Sequence, residues 1–393
     1  MSIFNHEKRK PHYGDLQGKI LLKGVPPSYP IDYTELLQRA EKVLPPSVLN
    51  YIESGSGDGR TQHRNVQAFS EWGIVPRMLV DCTNRDLSVE LFGYTQPNPL
   101  FMSPIGANAF CTSDGHGDIA AAKASAISGV PFVASTLAND PMETVIQHCG
   151  DVPAWFQLYV PRSRELAESF IQRAEQSGYR ALVITLDMWV HGWRPCDIRA
   201  GHFPDQEDVW LQNYFSDPVF RDSLSHTPEE NVTLAVKAFR RLFGEALTWD
   251  HVAWLREVTK LPIVLKGICH GEDARRAADM GVDAIYCSNH GGRQANSGIA
   301  AIDMLPEVVE GAGDTPVLFD SGIRSGADIL TAIAMGATAV GIGRPYSYGL
   351  AVDGASGAAH VLRCLLAEAD LIMAVNGYPS LADLRNAGAR RVS

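Results

Sequence analysis

Asp283-Ala284-Ile285-Tyr286-Cys287-Ser288-Asn289-His290-Gly291-Gly292-Arg293-Gln294 joins two unlike kinds of sequence. Up to Cys287 it is a short apolar run of strand type. From Ser288 it is a polar, Gly-rich loop holding a histidine and an arginine. The glycine pair permits sharp backbone turns. The histidine can exchange a proton near neutral pH. The arginine presents a planar fork suited to a carboxylate. Standing three residues apart, base and anion clamp can meet on one small acid. The competing reading is a plain turn with a hydrogen-bonded histidine and a surface arginine. Whether other strands end the same way decides between them.

From residue 100 onward they do. Apolar runs at Leu100–Ile105, Pro131–Ala134, Ala154–Tyr159, Ala181–Asp187, Pro262–Lys266, Ala284–Ser288, Pro316–Asp320 and Ala339–Ile342 read as strands. Helical or loop sequence separates them, as at Asp118–Ser128, Arg164–Ser177, Glu272–Met280 and Gly326–Met335. Continuously apolar strands fit a parallel sheet buried on both faces. Eight such β-α units predict a single (β/α)8 barrel. A doubly wound open sheet is the alternative, but it usually carries G-x-G-x-x-G after its first strand. Gly106 and Gly115-His116-Gly117 do not have that spacing. The predicted organisation is an N-terminal helical extension (1–99), a barrel (100–374) and a C-terminal tail (375–393). Between the fourth strand and its helix lies an insert, 195–249, of about 55 residues, far longer than ordinary connections. Its aromatic residues Phe203, Trp210, Tyr214, Phe215 and Phe220 suggest a lid that packs down; a surface excursion or oligomer contact is the alternative.

Barrel chemistry sits at the C-terminal strand ends. Here these ends carry Gly106 and Ala107, Ser135 and Thr136, Gln157 and Tyr159, Thr185 and Asp187, Lys266, Ser288 with His290 and Arg293, Asp320 with Gly322 and Arg324, and Gly343-Arg344. Polar groups gather at one end of nearly every strand, so His290 is not isolated. Gly322, Arg324, Gly343 and Arg344 suit a phosphate at the usual barrel position, although tight turns also need glycine. Lys266 is costly to bury without an anion. It could be a Schiff-base nucleophile, a phosphate ligand or a cation beside a cofactor. Asp187 could orient His290 and stabilise its imidazolium, or serve as a cap or structural ion pair.

Composition narrows the classes. Among 393 residues 45% are hydrophobic and 20% charged, an ordinary globular balance. The net charge of -11 argues against a nucleic-acid or anionic-membrane binder. Seven cysteines without a C-x-x-C pair read as reduced thiols of a cytoplasmic protein, with no metal site expected. No run reaches membrane-spanning length. Ahead of the barrel, Ile31–Leu44 and the stretch restarted by Pro45-Pro46 read as helices, and the Gly55–Gly59 cluster as a loop.

Taken together, Ser288–Gln294, Phe156-Gln157-Leu158-Tyr159, Thr185-Leu186-Asp187, Lys266-Gly267, Asp320–Arg324 and Gly341–Pro345 resemble the FMN-dependent enzymes that oxidise 2-hydroxy acids. The resemblance runs from about Leu44 to Tyr348. Within that family it leans towards the lactate 2-monooxygenases, through Gly292–Asn296, Gly192–Pro195, Phe203-Pro204 and the stretch from Asn213 to Phe220. It implies non-covalently bound FMN, a small 2-hydroxy acid and molecular oxygen as partners, and a homotetramer. It implies that His290 takes a substrate proton and that Asp187 supports the protonated ring. Arg194 and Arg293 would bind the carboxylate, with Tyr51 and Tyr159 hydrogen-bonding the substrate. Lys266 would stabilise the reduced, anionic flavin. Pro104, Ile105, Gly106, Ser135, Gln157, Thr185 and Ser288 would contact the ring or its side chain. Asp320, Gly322, Arg324, Gly343 and Arg344 would hold ribityl chain and phosphate. Gly106 would leave room for oxygen. The implied reaction takes L-lactate and oxygen to acetate, carbon dioxide and water. The first alternative is an oxidase releasing 2-keto acid and hydrogen peroxide, on L-lactate or on a larger or pathway-specific 2-hydroxy acid, and a flavin-dependent dehydrogenase passing electrons to another acceptor is next. A catalytically silent barrel binding FMN or another phosphate ligand is the alternative of another class.

Overall fold

The apolar runs form strands because neither of their faces can be given to water. They are Leu100–Met102 (β1), Phe132–Ser135 (β2), Ala154–Leu158 (β3), Leu182–Thr185 (β4), Ile263–Ile268 (β5), Ala284–Cys287 (β6), Val317–Phe319 (β7) and Ala339–Ile342 (β8). Every strand residue but Gly267 is buried. The strands pair in parallel in chain order, and β8 returns to β1, with Val340 opposite Leu100, to close the barrel. The predicted (β/α)8 architecture is therefore the observed one. The computed structural model describes residues 10–106, 108–200 and 210–392; the expected positions Ala107 and Phe203 lie outside them.

Helices Gly117–Ser128 (α1), Met142–Ile146 (α2), Arg164–Ser177 (α3), Trp249–Val258 (α4), Gly271–Asp279 (α5), Ala301–Ala312 (α6), Gly326–Ala334 (α7) and Arg344–Asn376 (α8) surround it. Their ends follow local chemistry. The Ser163 hydroxyl accepts from Leu166 N to start α3, and Gly178 at φ +93° ends it. Helix α8 breaks at Asp353-Gly354 and then resumes. Among the described residues no helix is long and apolar enough to cross a membrane.

The extension supplies helices Tyr33–Val43, Pro46–Glu53 and Arg60–Gln67 and a hairpin, Val89–Leu91 with Tyr94–Gln96. The Pro46–Glu53 helix carries Tyr51 to the strand ends. Of the segment 375–393, expected as a tail, the described residues, 375–392, are built into the fold instead. Leu381–Ala387 is a helix that buries Leu381 and Leu384 and packs on α7. Arg390–Arg391 pairs with Trp72–Gly73 of the extension. The described part of the insert is helical as well, at Pro195–Ala200, Gln212–Phe215, Pro218–Asp222 and Val232–Leu242.

Candidate active site

One cavity opens at the C-terminal ends of the strands, and it collects most of the residues read from the sequence. Tyr51, Pro104, Ile105, Gly106, Tyr159, Arg194, Lys266, His290, Arg293, Asp320, Gly322, Arg324, Gly343 and Arg344 all line it. Ser135, Gln157, Thr185 and Ser288 do not; they are buried beside it. Ser135 donates to Gln157 Oε1 at 3.1 Å, and Gln157 Nε2 donates to Thr185 Oγ1 at 3.0 Å. These three side chains form a hydrogen-bonded layer joining β2, β3 and β4.

His290 owes its position to unusual backbone. It, Gly291 and Gly292 take positive φ in succession, at +57°, +63° and +77°. A Cβ on Gly292 would lie 2.5 Å from the backbone nitrogen of Gln62, so only glycine lets the Arg60–Gln67 helix approach this closely. His290 Nδ1 meets Asp187 Oδ1 at 2.9 Å. With the carboxylate accepting there, Nδ1 carries the proton and Nε2 is the basic nitrogen. Burial pushes the imidazole below its ordinary range, outweighing the lift from Asp187; Lys266 and Arg194 add to the downward push. The resting ring is therefore neutral. Burial alone would raise the Asp187 carboxyl, but the hydrogen bond from His290 and the nearby Lys266 hold it low.

Lys266 Nζ donates to Ser288 Oγ at 3.1 Å and sits over the Tyr286 ring. Ser288 Oγ in turn donates to Asp320 Oδ1 at 2.6 Å and accepts from His290 N at 3.1 Å. Asp320 Oδ2 accepts from Tyr286 and Ser103. This chain ties β5, β6, β7 and the end of β1 into one polar unit.

The two expected clamps differ. Arg293 spends Nη1 on the carbonyls of Tyr51, Ile52 and Ser54 and lies over the Tyr51 ring. Burial and the neighbouring Arg194 lower it to about 10. Arg194 is 3% exposed, with Nε on Arg293 O at 3.0 Å and Nη2 on Gln294 Oε1 at 2.8 Å. Gln294 also donates to Asp187 O at 2.7 Å. It fixes the base's partner and the clamp together, a role the sequence reading did not give it. Asn65 was missed as well. Its side-chain amide exchanges two 2.8 Å hydrogen bonds with that of Asn289, next to His290.

At the far end Arg344 donates from Nε to Ile52 O at 2.9 Å, but its Nη2 is buried without a hydrogen-bond partner. Burial and the charges of Arg324 and Arg293 bring Arg344 down to about 9. Glu53 Oε1 lies 4.0 Å from Arg344 Nε, so a single carboxylate faces three guanidinium groups, and the unpartnered Nη2 still calls for an anion. With the glycine backbone of Gly322 and Gly343 beside it, this end fits the phosphate of FMN.

Leu137, Met188, His191, Trp210, Phe239, Arg240 and Phe243 also line the cavity. Of the insert's aromatics named from the sequence and described here, only Trp210 reaches the cavity. Tyr214 and Phe220 are fully buried, and Tyr214 packs on Phe170 of α3, with ring centroids 4.9 Å apart. Phe239 and Phe243 were missed, although the strong apolar face of Val232–Leu242 was a readable signal.

The FMN-dependent dehydrogenase family matches residues 40–391. An L-lactate oxidase of Lysinibacillus sphaericus is 38% identical over 371 residues, covering 94% of this chain and 95% of that protein. The 2-hydroxyacid oxidase 1 of Mus musculus is 37% identical over 346 residues, 86% of this chain and 91% of its own. The solved soluble mutant of the membrane-associated (S)-mandelate dehydrogenase from Pseudomonas putida is 33% identical with a TM-score of 0.82, covering 92% of this chain and 99% of that one.

Proposed function

The chain belongs to the FMN-dependent dehydrogenase family, and from that premise we propose that it is an L-lactate 2-monooxygenase. At the coarser level it is an FMN-dependent 2-hydroxy-acid oxidoreductase. FMN, when bound, supplies the two-electron oxidation of the substrate and the reaction with oxygen. Arg344, Arg324, Gly322, Gly343 and Asp320 would hold its phosphate and ribityl chain. Pro104, Ile105 and Gly106 would border the ring, above the Ser135–Gln157–Thr185 layer and Ser288.

Arg194 and Arg293 hold the substrate carboxylate, Arg293 through the edge not occupied by Tyr51, Ile52 and Ser54. Tyr51 and Tyr159 hydrogen-bond the substrate's oxygens. His290 Nε2 accepts the hydroxyl proton, or the α-carbon proton if that leaves first, and Asp187 stabilises the resulting imidazolium. The buried Lys266 ammonium offsets negative charge that builds beside it.

The observation that carries the monooxygenase reading is the enclosure of the clamp. Arg194 is buried, and Trp210, Phe239 and Phe243 of the insert face the cavity above it. Leu137 lines the cavity beside Gly106, where an added Cβ would come within 3.2 Å of Leu137 Cβ, so this wall is already close-packed. A keto acid kept in such a space would meet peroxide before either escapes, giving acetate, carbon dioxide and water. The L-lactate oxidase relative favours the second reading, release of pyruvate and hydrogen peroxide. A product assay with L-lactate, without catalase, separates them. Acetate as the main product supports the proposal; stoichiometric pyruvate and peroxide overturn it.

A further inference from the structure

Behind Arg194 stands a carboxylate that the mechanism does not use. Arg194 O accepts from Ile198 N at 3.0 Å and opens the Pro195–Ala200 helix, so Arg194 and Asp197 share one turn, three residues apart. Arg194 Nη1 lies 3.7 Å from Asp197 Oδ2, and the two side chains are 4% and 13% exposed. That carboxylate oxygen is buried and has no hydrogen-bond partner. Asp197 does not line the cavity, so it faces the guanidinium from outside the substrate's space. Burial lifts its carboxyl above the ordinary range, against the pull of Arg194 and Arg293. Arg194 does not depend on this carboxylate for its place. Its Nε is held on Arg293 O and its Nη2 on Gln294 Oε1. Gln294 is itself held by Asp187 O and Val190 O.

We propose that Asp197 is a positioning residue that acts through Arg194, a standing counterion that limits how tightly the clamp holds an anion. Substrate, keto acid and acetate each carry a carboxylate. Two guanidiniums without a counterion would hold product as firmly as substrate, and each turnover would wait on release. Asp197 offsets part of that charge from behind. A carboxylate bound in the cavity lies across Arg194, roughly twice the ion-pair distance from Asp197, where a like charge weakens binding by about 10-fold or more at the effective dielectric near a protein surface. The hydrogen bonds that hold Arg194 do not involve Asp197. Removing the Asp197 charge therefore tightens anion binding, where loss of a structural support would loosen it. The inference rests on the assignment of Arg194 and Arg293 as the carboxylate clamp.

The test titrates the FMN-loaded protein by calorimetry with pyruvate and with uncharged pyruvamide, at about pH 8, above the carboxylate and histidine ranges. Asp197→Asn and Asp197→Ser should each bind pyruvate about 10-fold tighter or more than the native protein, with pyruvamide binding unchanged. Asp197→Glu keeps the charge and should bind both ligands as the native protein does. In turnover, the KM for L-lactate should fall in the two neutral variants, whereas a merely structural loss would raise it. Pyruvate binding that is unchanged or weaker in both neutral variants would overturn the proposal, as would an equal tightening of pyruvamide. A native protein that binds pyruvate no better than pyruvamide would bring down the clamp assignment itself, and the proposal with it.

Discussion

Neutral His290 beside ionised Asp187 is the arrangement a general base needs, and both protonation states follow from position. Burial lowers the histidine, and the hydrogen bond from His290 with the nearby Lys266 keeps the carboxyl low. The base works unprotonated, so kcat/KM should fall only as pH drops through a value below histidine's usual range. Asp187→Asn removes the main upward influence on His290. Its acid limb should move to still lower pH, and its plateau should drop. A limb that stays put in the pH profile of kcat/KM would argue against the pair. Arg293→Lys keeps charge but loses the planar fork. Binding of a substrate-analogue acid should weaken by about 1.5–3 kcal/mol, the worth of a charged hydrogen bond, and unchanged titrations would remove Arg293 from the clamp. His290, Arg293 and Asp187 were legible because each stands just past an apolar run. Asn65 was not, because its helix, Arg60–Gln67, is polar and buries Thr61, Gln62 and Asn65. Apolar periodicity has nothing to report there.

At the scale of elements, the insert has two parts with separate jobs. Asn213 donates to Ser135 O and Thr136 O and accepts from Met142 N, pinning the segment to β2 and α2. Asp217 accepts from Arg173 Nη1 of α3 at 3.0 Å. This part is scaffold. Asn213→Ala should destabilise the fold by about 1–3 kcal/mol through orphaned buried groups, measured by denaturant titration; an unchanged midpoint would count against that role. Trp210 and Val232–Leu242, with Phe243 just beyond, form the part that faces the cavity. Phe239→Ala should open the mouth and raise the share of pyruvate and peroxide over acetate. An unaltered product ratio would show that retention depends on the inner residues instead. The sequence marked the insert by length and aromatic content. It could not separate scaffold from cover, because both uses bury aromatic rings.

Across the whole molecule, the barrel was the most readable feature, since eight doubly buried strands leave eight apolar runs. The least readable was the join between chain ends. Arg85 of the extension bonds both oxygens of Asp370 in α8, at 2.6 and 2.8 Å, and Gly14 N donates to the same fully buried carboxylate. No local pattern announces a pair 285 residues apart. Burial pushes Asp370 up, but Arg85 and Gly14 outweigh it and hold it low. The folded-state pKa lies below the unfolded one, so this stability is present at neutral pH and is lost as pH falls through the folded value. Arg85→Leu should cost about 3–5 kcal/mol at neutral pH and less in acid, where the carboxyl is protonated. A penalty independent of pH would contradict the assignment. One chemical event underlies the proposed function: removal of a proton from a 2-hydroxy acid by His290 beside bound FMN. Anaerobic stopped-flow mixing of the FMN-loaded protein with L-lactate tests it most directly, with His290→Gln as the comparison. The native protein should lose its flavin absorbance, and the variant should do so more slowly by about 10²–10⁴-fold or more with FMN still bound. A variant that bleaches within a few-fold of the native rate would contradict it.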